Sequence, residues 1–329
     1  MHTGSAAPAF NDVLAANVLL GLHDVGVLDA LSAPGGVHLD ILCAQHHLNI
    51  HRTQAVFRHL LDWDIIQLER TTDSFSLSAR GINFLENIGF FVWAMAGYGR
   101  LIRTAGSDML SAEPPDWRTL RDGYSVSRGS RLCNERFIDP IFQSEFTKLG
   151  AQCVADLGCG DGHRLFSLAK DHPDLRGIGM DLDSTSIELA SAKAERENVS
   201  SRLTFISKDI FQLPHPYPDV DCVICSLMMH DILGHLTCAD FPAWLQKFFP
   251  SLQHIIVVDT LQPDEHIGSS TPIFINGFTL IHALMNVELH PRTAYEAALS
   301  SNGLELMSSR EISGIPSTWM FIARVEKWN

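Results

Sequence analysis

The chain has 329 residues, a formal net charge of −14 and 46% hydrophobic residues. That length exceeds what one hydrophobic core usually organises and predicts two domains. The acidic charge argues against binding to a phosphate backbone as the main function. No stretch approaches the ~20 uncharged apolar residues of a membrane helix, and the opening segment lacks the pattern of a secretion signal. We therefore expect a cytoplasmic protein without nucleic-acid or membrane partners.

The N-terminal third is predicted to be helical and to end in a winged-helix-like pattern. Residues 11–32 have apolar positions at helical spacing, interrupted by Gly26, which predicts two helices. A helix, a short turn and a second helix follow over 39–66, and two short strand-like runs follow over 67–81. Because this region is not basic, a dimerisation module is favoured over a DNA-reading domain.

A long apolar segment and a connector come next. Residues 82–111 are apolar on most sides in their first half, which predicts a helix buried between domains or subunits. Pro114 and Pro115 are expected to end it. From Cys153 onward, short β runs alternate with amphipathic helices. This alternation predicts an α/β fold with a Rossmann-like, doubly wound, mostly parallel sheet that has helices on both faces.

The seven cysteines are scattered and odd in number, so no disulfide framework is expected. Cys222 and Cys225 form a CxxC pair, but the surrounding VDCVICSL is typical of a strand. Residues three apart in a strand point to opposite faces, so this pair cannot hold one metal ion. We predict reduced, mostly buried thiols.

A glycine-rich loop is the strongest local signal. In VADLGCGDGHRLFSLAK a strand ends at Asp156, and Gly158 and Gly160 permit a tight turn that a ligand can approach closely. In dinucleotide-binding folds such a loop faces a pyrophosphate. Here Asp156 and Asp161 would repel phosphates, whereas they suit a cationic sulfonium that carries an ammonium group.

Two further carboxylates are placed to complete a nucleoside site. The next strand ends in Asp181, about twenty residues on, where a carboxylate can accept hydrogen bonds from both ribose hydroxyls. The third strand leads to Asp209, which is placed to accept from an adenine amino group. Ile210 or Phe211 could pack on the adenine ring.

With these motifs, residues 150–260 resemble a class I S-adenosylmethionine-dependent methyltransferase. The wider chain is similar to the small-molecule O-methyltransferase group of bacteria and plants. The resemblance implies S-adenosylmethionine as cofactor and a homodimer. It implies cofactor contacts from Asp156, Gly158, Gly160, Asp181, Leu182, Asp209, Ile210 and Ser226. It also implies three regions: a winged-helix-like dimerisation domain (1–110), connector helices lining the active site (111–148) and a cofactor-binding catalytic domain (149–329).

Two histidines and a carboxylate are candidates for the chemistry. His230 and Asp231 follow the fourth strand of the sheet, at the edge where open α/β folds bind ligands. His282 lies on a later helix, where the ordinary O-methyltransferases usually have an apolar residue. Two histidines with an adjacent carboxylate are the ingredients of a 2-His-1-carboxylate metal site.

This set is similar to that of the 2-oxo acid C-methyltransferases, which methylate the β-carbon of keto acids such as phenylpyruvate or its branched-chain analogues. The resemblance implies that His230, Asp231 and His282 hold a metal ion, iron or zinc, which stabilises an enolate of the substrate. Metal-free O-methylation with His230 as general base is the main alternative. A regulator that has lost activity is a third, and the intact glycine loop counts against it.

Purely structural roles are the alternatives for the same residues. His282 can be a core histidine, and Asp231 can be a helix N-cap. His235 and His290 are competing third ligands.

A carboxylate substrate needs a cation, which a guanidinium supplies through two parallel hydrogen bonds. Arg128 and Arg131 precede the cofactor loop and are the candidates, of which we select Arg128 as the catalytic-site residue.

Overall fold

The computed structural model describes residues 5–108, 116–263 and 273–326. The chain divides into two compact units, Met1–Val92 and Trp93–Asn329. This division precedes the predicted boundary at residue 110, because the segment that follows Val92 packs into the second unit. The residues that form this contact are Trp93, Tyr98 and Leu101 on one side and Phe278, Ile281 and Met285 on the other. The predicted break at Pro114 and Pro115 lies outside the described residues.

The first unit is mainly helical, and its two opening helices are separated at Gly26, which has a φ of +75°. Its elements are α1 (Ala7–Asp24), α2 (Val27–Ser32), α3 (Leu39–Gln45), α4 (Ile50–Asp62), β1 (Ile66–Glu69), β2 (Ser74–Leu77), α5 (Ala79–Glu86) and α6 (Ile88–Phe91). The Asn49 side chain caps α4 by accepting from the backbone N–H of Arg52. β1 and β2 form an antiparallel hairpin directly after the α3–α4 pair, so the predicted helix–turn–helix and hairpin are both present.

Helical segments from the end of the first unit onward precede the sheet of the second unit. They are a π-helical turn over Val92–Gly97, α7 (Gly99–Asp108), a 3-10 turn over Trp117–Thr119, α8 (Gly123–Cys133), a π-helical turn over Asn134–Ile138 and α9 (Asp139–Leu149). The single helix expected over 82–111 is thus divided. Gly129 of α8 lies against the first π-helical turn, where a Cβ atom would come within 2.5 Å of the Trp93 backbone nitrogen. Only glycine permits this close approach of the two segments.

The core of the second unit is a seven-stranded sheet with the order β5-β4-β3-β6-β7-β9-β8. Its strands are β3 (Cys153–Leu157), β4 (Arg176–Asp181), β5 (Leu203–Ser207), β6 (Cys222–Ser226), β7 (His254–Thr260), β8 (Leu304–Glu311) and β9 (Thr318–Val325). β3 to β7 are parallel, while β9 runs antiparallel to both β7 and β8. The predicted doubly wound, mostly parallel sheet is confirmed. β8 and β9 were not predicted.

Helices connect the parallel strands and cover the sheet. They are α10 (His163–Asp171), α11 (Ser184–Arg196), α12 (Met229–His235), α13 (Asp240–Phe248), α14 (Ile275–Met285) and α15 (Arg292–Ala298), with a 3-10 turn at Ile210–Gln212. β3 is buried along its whole length, as expected for a strand covered on both faces. Cys222 and Cys225 are buried in β6, and all seven cysteines are free. Among the described residues, no helix is long and apolar enough to cross a membrane.

Candidate active site

A cleft of about 260 Å³ opens at the carboxyl ends of the parallel strands. The strand order reverses between β3 and β6, and in open α/β sheets ligands bind at such a switch point. All eight predicted cofactor-binding residues line this cleft, and so do His230, Asp231 and His282. The sequence therefore placed both groups of residues at one site.

The glycine loop after β3 forms one wall. Gly158 and Gly160 have φ angles of +73° and +53°, a region that residues with a Cβ rarely adopt. The N–H of Gly158 donates to the carbonyl of Met180 at 2.8 Å, and the N–H of Gly160 donates to Oδ2 of Asp181 at 2.8 Å. The loop is therefore held against β4 by backbone donors and by the Asp181 carboxylate.

Asp181 and Asp209, the carboxylates predicted to bind the nucleoside, already accept hydrogen bonds from nearby backbone N–H groups. Asp181 also accepts from the backbone N–H of Asp183 at 2.9 Å, and burial raises the pKa of its carboxyl. Asp209 accepts from the N–H of Phe211 at 2.9 Å and caps the 3-10 turn that begins at Ile210. Each carboxylate oxygen has a second lone pair, so these contacts leave capacity for a ligand.

Asp156 lies beneath the loop and is only 3% exposed. Burial disfavours its charged form and, despite the nearby positive charge of Arg164, raises the pKa of this carboxyl to about 7. A cation in the cleft would offset that burial cost, because an opposite charge favours the ionised acid.

His230 is buried and held in one orientation by Asp259. Nδ1 of His230 lies 2.9 Å from Oδ1 of Asp259, and the backbone N–H of His230 donates to Oδ2 at 2.8 Å. Asp259 has no exposed surface and also accepts from the Tyr295 hydroxyl at 3.0 Å. Burial alone would lower the pKa of His230, but the charge and hydrogen bond of Asp259, together with the charge of Asp231, raise it to about 9.

His282 approaches His230 from α14. Its Nδ1 lies 2.7 Å from the carbonyl of Phe278, which fixes the proton on Nδ1 and leaves the Nε2 lone pair free. Nε2 of His282 is 3.1 Å from Nε2 of His230. Burial, together with the charge of His230, lowers the pKa of His282 to about 3. His282 is 3% exposed and both of its ring nitrogens have a hydrogen-bond partner, so this arrangement fits a core histidine as well as a metal ligand.

The third predicted ligand, Asp231, is close but not assembled with the histidines. Its Oδ2 is 3.7 Å from Nε2 of His230, and its side chain is 40% exposed. Within residues 5–108, 116–263 and 273–326, no three His, Cys, Asp or Glu side chains are grouped closely enough to hold a metal ion. His235 lines the cleft, but its Nδ1 is bonded to the Asp231 carbonyl at 2.8 Å and its ring stacks on Phe211.

The arginine predicted to bind a substrate carboxylate is not the one that lines the cleft. Arg128 lies on α8, but it is not among the lining residues, whereas Ser127, Ser130 and Arg131 are. Successive helix positions point about 100° apart, and the lining residues of α8 follow the i, i+3, i+4 face that excludes Arg128. Arg121, which sequence reasoning missed, lines the cleft, and its charge acts on the buried hydroxyl of Tyr98.

Three other residues of the site were also missed. Asp259 is the second-last residue of β7, as Asp156 is of β3, so its position near the end of a strand was a usable signal. Tyr295 and Trp93 carried no such signal, because each reaches the site only through the packing of distant helices.

The sheet order, the glycine loop at the switch point and the carboxylates that follow successive strands define the class of Rossmann-like S-adenosylmethionine-dependent methyltransferases. Residues 154–254 match the family model described as "Methyltransferase domain". This match covers β3 to the start of β7 and includes the whole glycine loop. The chain is thus an S-adenosylmethionine-dependent methyltransferase, as predicted.

Comparison with known proteins extends the likeness to nearly the whole chain. The chain is 25% identical to methyltransferase ungE′ of Aspergillus campestris, over 96% of this chain and 95% of the relative. It is 24% identical to an indolepyruvate C-methyltransferase of Streptomyces griseus, over 97% of this chain and 94% of the relative. The structure of human N-acetylserotonin methyltransferase in complex with SAM matches with a TM-score of 0.65 at 15% identity, over 99% and 100% of the two chains. The last comparison concerns the fold alone.

Proposed function

We propose that this enzyme transfers a methyl group to the β-carbon of a small 2-oxo acid. The observation that carries the proposal is the 3.1 Å approach of the two Nε2 atoms of His230 and His282. Each imidazole is oriented through its Nδ1, by a carboxylate in one case and by a backbone carbonyl in the other. Metal-binding histidines are usually oriented in this way. The relative from Streptomyces griseus, a C-methyltransferase by name, supports the same function.

The donor set fits a metal ion. Without a metal, His230 is doubly protonated near neutral pH because its pKa is raised to about 9, and its Nε2–H donates to the Nε2 lone pair of His282. A metal ion would displace that proton and bind one lone pair from each ring. His230 and His282 would hold the metal, and Asp231 would complete the set after a change of its side-chain rotamer. Two imidazoles and a carboxylate are suitable ligands for iron or zinc. The bound metal would supply Lewis-acid stabilisation of an enolate.

The chain's own residues would orient the acceptor. Arg121 lines the cleft close to Tyr98 and is placed to pair with the carboxylate of a 2-oxo acid. The indole of Trp93 stacks on Phe278, and both residues line the cleft. They would enclose an apolar substrate side chain and exclude water from the reacting carbon.

O-methylation with His230 as general base is the alternative, and the His230–Asp259 contact is the observation that favours it. Asp259 orients the imidazole as a carboxylate does in a base dyad. Against it, His282 lies 3.1 Å from the nitrogen that would accept the hydroxyl proton. A histidine whose pKa is raised to about 9 is also protonated at neutral pH.

Proton exchange separates the two functions without any methyl transfer. The purified enzyme is incubated with phenylpyruvate in D₂O, and loss of the β-proton signal is followed by NMR. Enzyme-dependent exchange that stops after chelator treatment and returns with iron or zinc is expected. A methyl-labelled cofactor then shows whether the product carries a C–CH₃ or an O–CH₃ group. Full activity of a metal-free preparation, or an O-methyl product only, would contradict the proposal.

We also propose that the first unit joins two copies of the chain, through its winged-helix-like part and α1. On α1 the side chains of Phe10 and Val13 are 65% and 58% exposed, and Leu14 lies beside them. Apolar side chains clustered on one helix face favour burial against a partner. Light scattering should give the mass of a dimer for the wild type and of a monomer for F10E/V13E. A wild-type monomer would contradict this assembly.

A further inference from the structure

Arg164 is a buried cation beside the cofactor cleft. It lies on the first turn of α10, only 6% of its side chain is exposed, and it is among the residues that line the cleft. Its guanidinium sits over the ring of Phe142 at 4.2 Å. Arginine is rarely buried unless it is paired, so this position calls for an explanation.

The protein contacts of Arg164 leave part of its guanidinium unused. Nη2 donates to Oγ of Ser226 at 3.2 Å. Nη1 lies 3.5 Å from Oδ1 of Asp139 but has no hydrogen-bond partner among the described residues. Asp139 is itself held by His163, whose Nε2 is 3.1 Å from Oδ2. A buried charged donor without a hydrogen bond is costly, and such groups often await a ligand.

Arg164 and Asp156 form a pair of opposite charges at one end of the cleft. Both are buried, both line the cleft below the glycine loop, and each lies within the electrostatic reach of the other. The methyl donor ends in an α-amino acid group, with an ammonium and a carboxylate on one carbon. The two side chains match the two charges of that group.

We propose that Nη1 of Arg164 binds the α-carboxylate of S-adenosylmethionine, while Asp156 faces its ammonium group. Phe142, Ser226 and Asp139 hold the guanidinium in place for this contact. Arg164 is then a cofactor-binding residue, and Asp139 and His163 are positioning residues that act through it.

Two other roles are distinguishable from this one. Arg164 could serve only to pair Asp139 and to keep α10 against α9. Arg131 also lines the cleft, and its buried Nε has no hydrogen-bond partner in the described part of the chain, so it could bind the carboxylate in place of Arg164. Arg131 is already 3.4 Å from Oδ2 of Asp161 and is 31% exposed, which makes it the weaker candidate.

The test compares two ligands that differ only in the carboxylate. S-adenosylmethionine and its decarboxylated analogue are titrated into the full-length protein by calorimetry. Because a hydrogen bond to a charged group is strong, we expect the wild type to favour the complete cofactor by ~10–100-fold. In R164Q this ratio should fall to about one, through weaker binding of S-adenosylmethionine and little change for the analogue.

The ratio of the two dissociation constants does not depend on how much of a variant is folded, since both ligands meet the same preparation. R164K retains the charge with a single donor group, and an intermediate ratio is expected. R176Q removes an exposed arginine that pairs with Asp219 and should keep the wild-type ratio. A wild type without preference, or R164Q and R164K with the wild-type ratio, would overturn the proposal. So would loss of the preference in R131Q alone. None of these outcomes involves the methyl acceptor, so the test is independent of the proposed C-methylation.

Discussion

Asp259 binds His230 at two points, through the ring Nδ1 at 2.9 Å and through the backbone N–H at 2.8 Å. One buried carboxylate therefore fixes both the position of the first turn of α12 and the ring orientation that directs Nε2 toward His282. The Tyr295 hydroxyl fixes the carboxylate in turn.

Substitution D259N should release this orientation. We expect metal affinity and turnover to fall by ~10–100-fold, the usual effect of losing a residue that orients a metal ligand. Y295F removes one hydrogen bond to the same carboxylate and should cause a smaller loss. Metal content after dialysis and initial rates measure both effects. Unchanged metal content and rate in D259N would show that His230 is held by packing alone.

H282A should lose metal and turnover while it still binds S-adenosylmethionine, because His282 faces His230 across the acceptor side of the cleft. The matched control is H215A, which removes an exposed histidine next to Pro216. Metal analysis, a rate assay and calorimetric titration of the cofactor report the three properties separately. Wild-type turnover in H282A would refute its assignment as a ligand.

D181N should weaken cofactor binding by ~10–100-fold, since a hydrogen bond to a charged acceptor contributes more than one to a neutral group. Asp181 holds the N–H of Gly160, so the variant also loosens the glycine loop. D219N removes an exposed carboxylate paired with Arg176 and serves as the control. Dissociation constants from calorimetry decide the outcome, and equal values for the two variants would contradict the ribose-binding role.

The pKa of Asp156 is raised from 3.8 to about 7, because burial outweighs the attraction of Arg164. Between these two pH values the folded, cofactor-free protein retains a proton that the unfolded chain has lost. Its free energy of unfolding should therefore fall as the pH rises through this window, and D156N should lack this component. Urea denaturation of both proteins at a series of pH values tests the sign. Parallel curves for the two proteins would contradict it.

R121Q should raise the KM for a 2-oxo acid by ~10-fold or more, because the substrate carboxylate would lose its proposed ion pair with Arg121. Arg121 lines the cleft and Arg128 does not, so R128Q should have the smaller effect. Steady-state kinetics of both variants with phenylpyruvate compares them directly. A larger rise in KM for R128Q than for R121Q would instead support Arg128 as the partner of the substrate carboxylate.

Local patterns in the chain were sufficient to predict the parallel sheet and to select cofactor-binding candidates that line one cleft. The strand, glycine loop and helix around Asp156 are adjacent in sequence, Asp181 ends β4, and Asp209 follows β5. The carboxyl ends of parallel strands share one edge of a sheet, so the order of the elements was enough to predict that these three carboxylates lie close together. β8 and β9 were not predicted because β9 pairs antiparallel with both β7 and β8, which departs from the alternating pattern of parallel strands and helices.

The sequence by itself determined the parallel strands, the glycine loop and the positions of Asp156, Asp181 and Asp209 at the carboxyl edge of the sheet. Only the tertiary structure decided that His282 contacts His230 and that Asp259, bonded to Tyr295, orients the His230 ring. It also decided that Arg121 rather than Arg128 lines the cleft. The reason is physical. Strand periodicity and glycine conformations are local properties, whereas the direction of a helical side chain and the approach of helices far apart in the chain depend on packing.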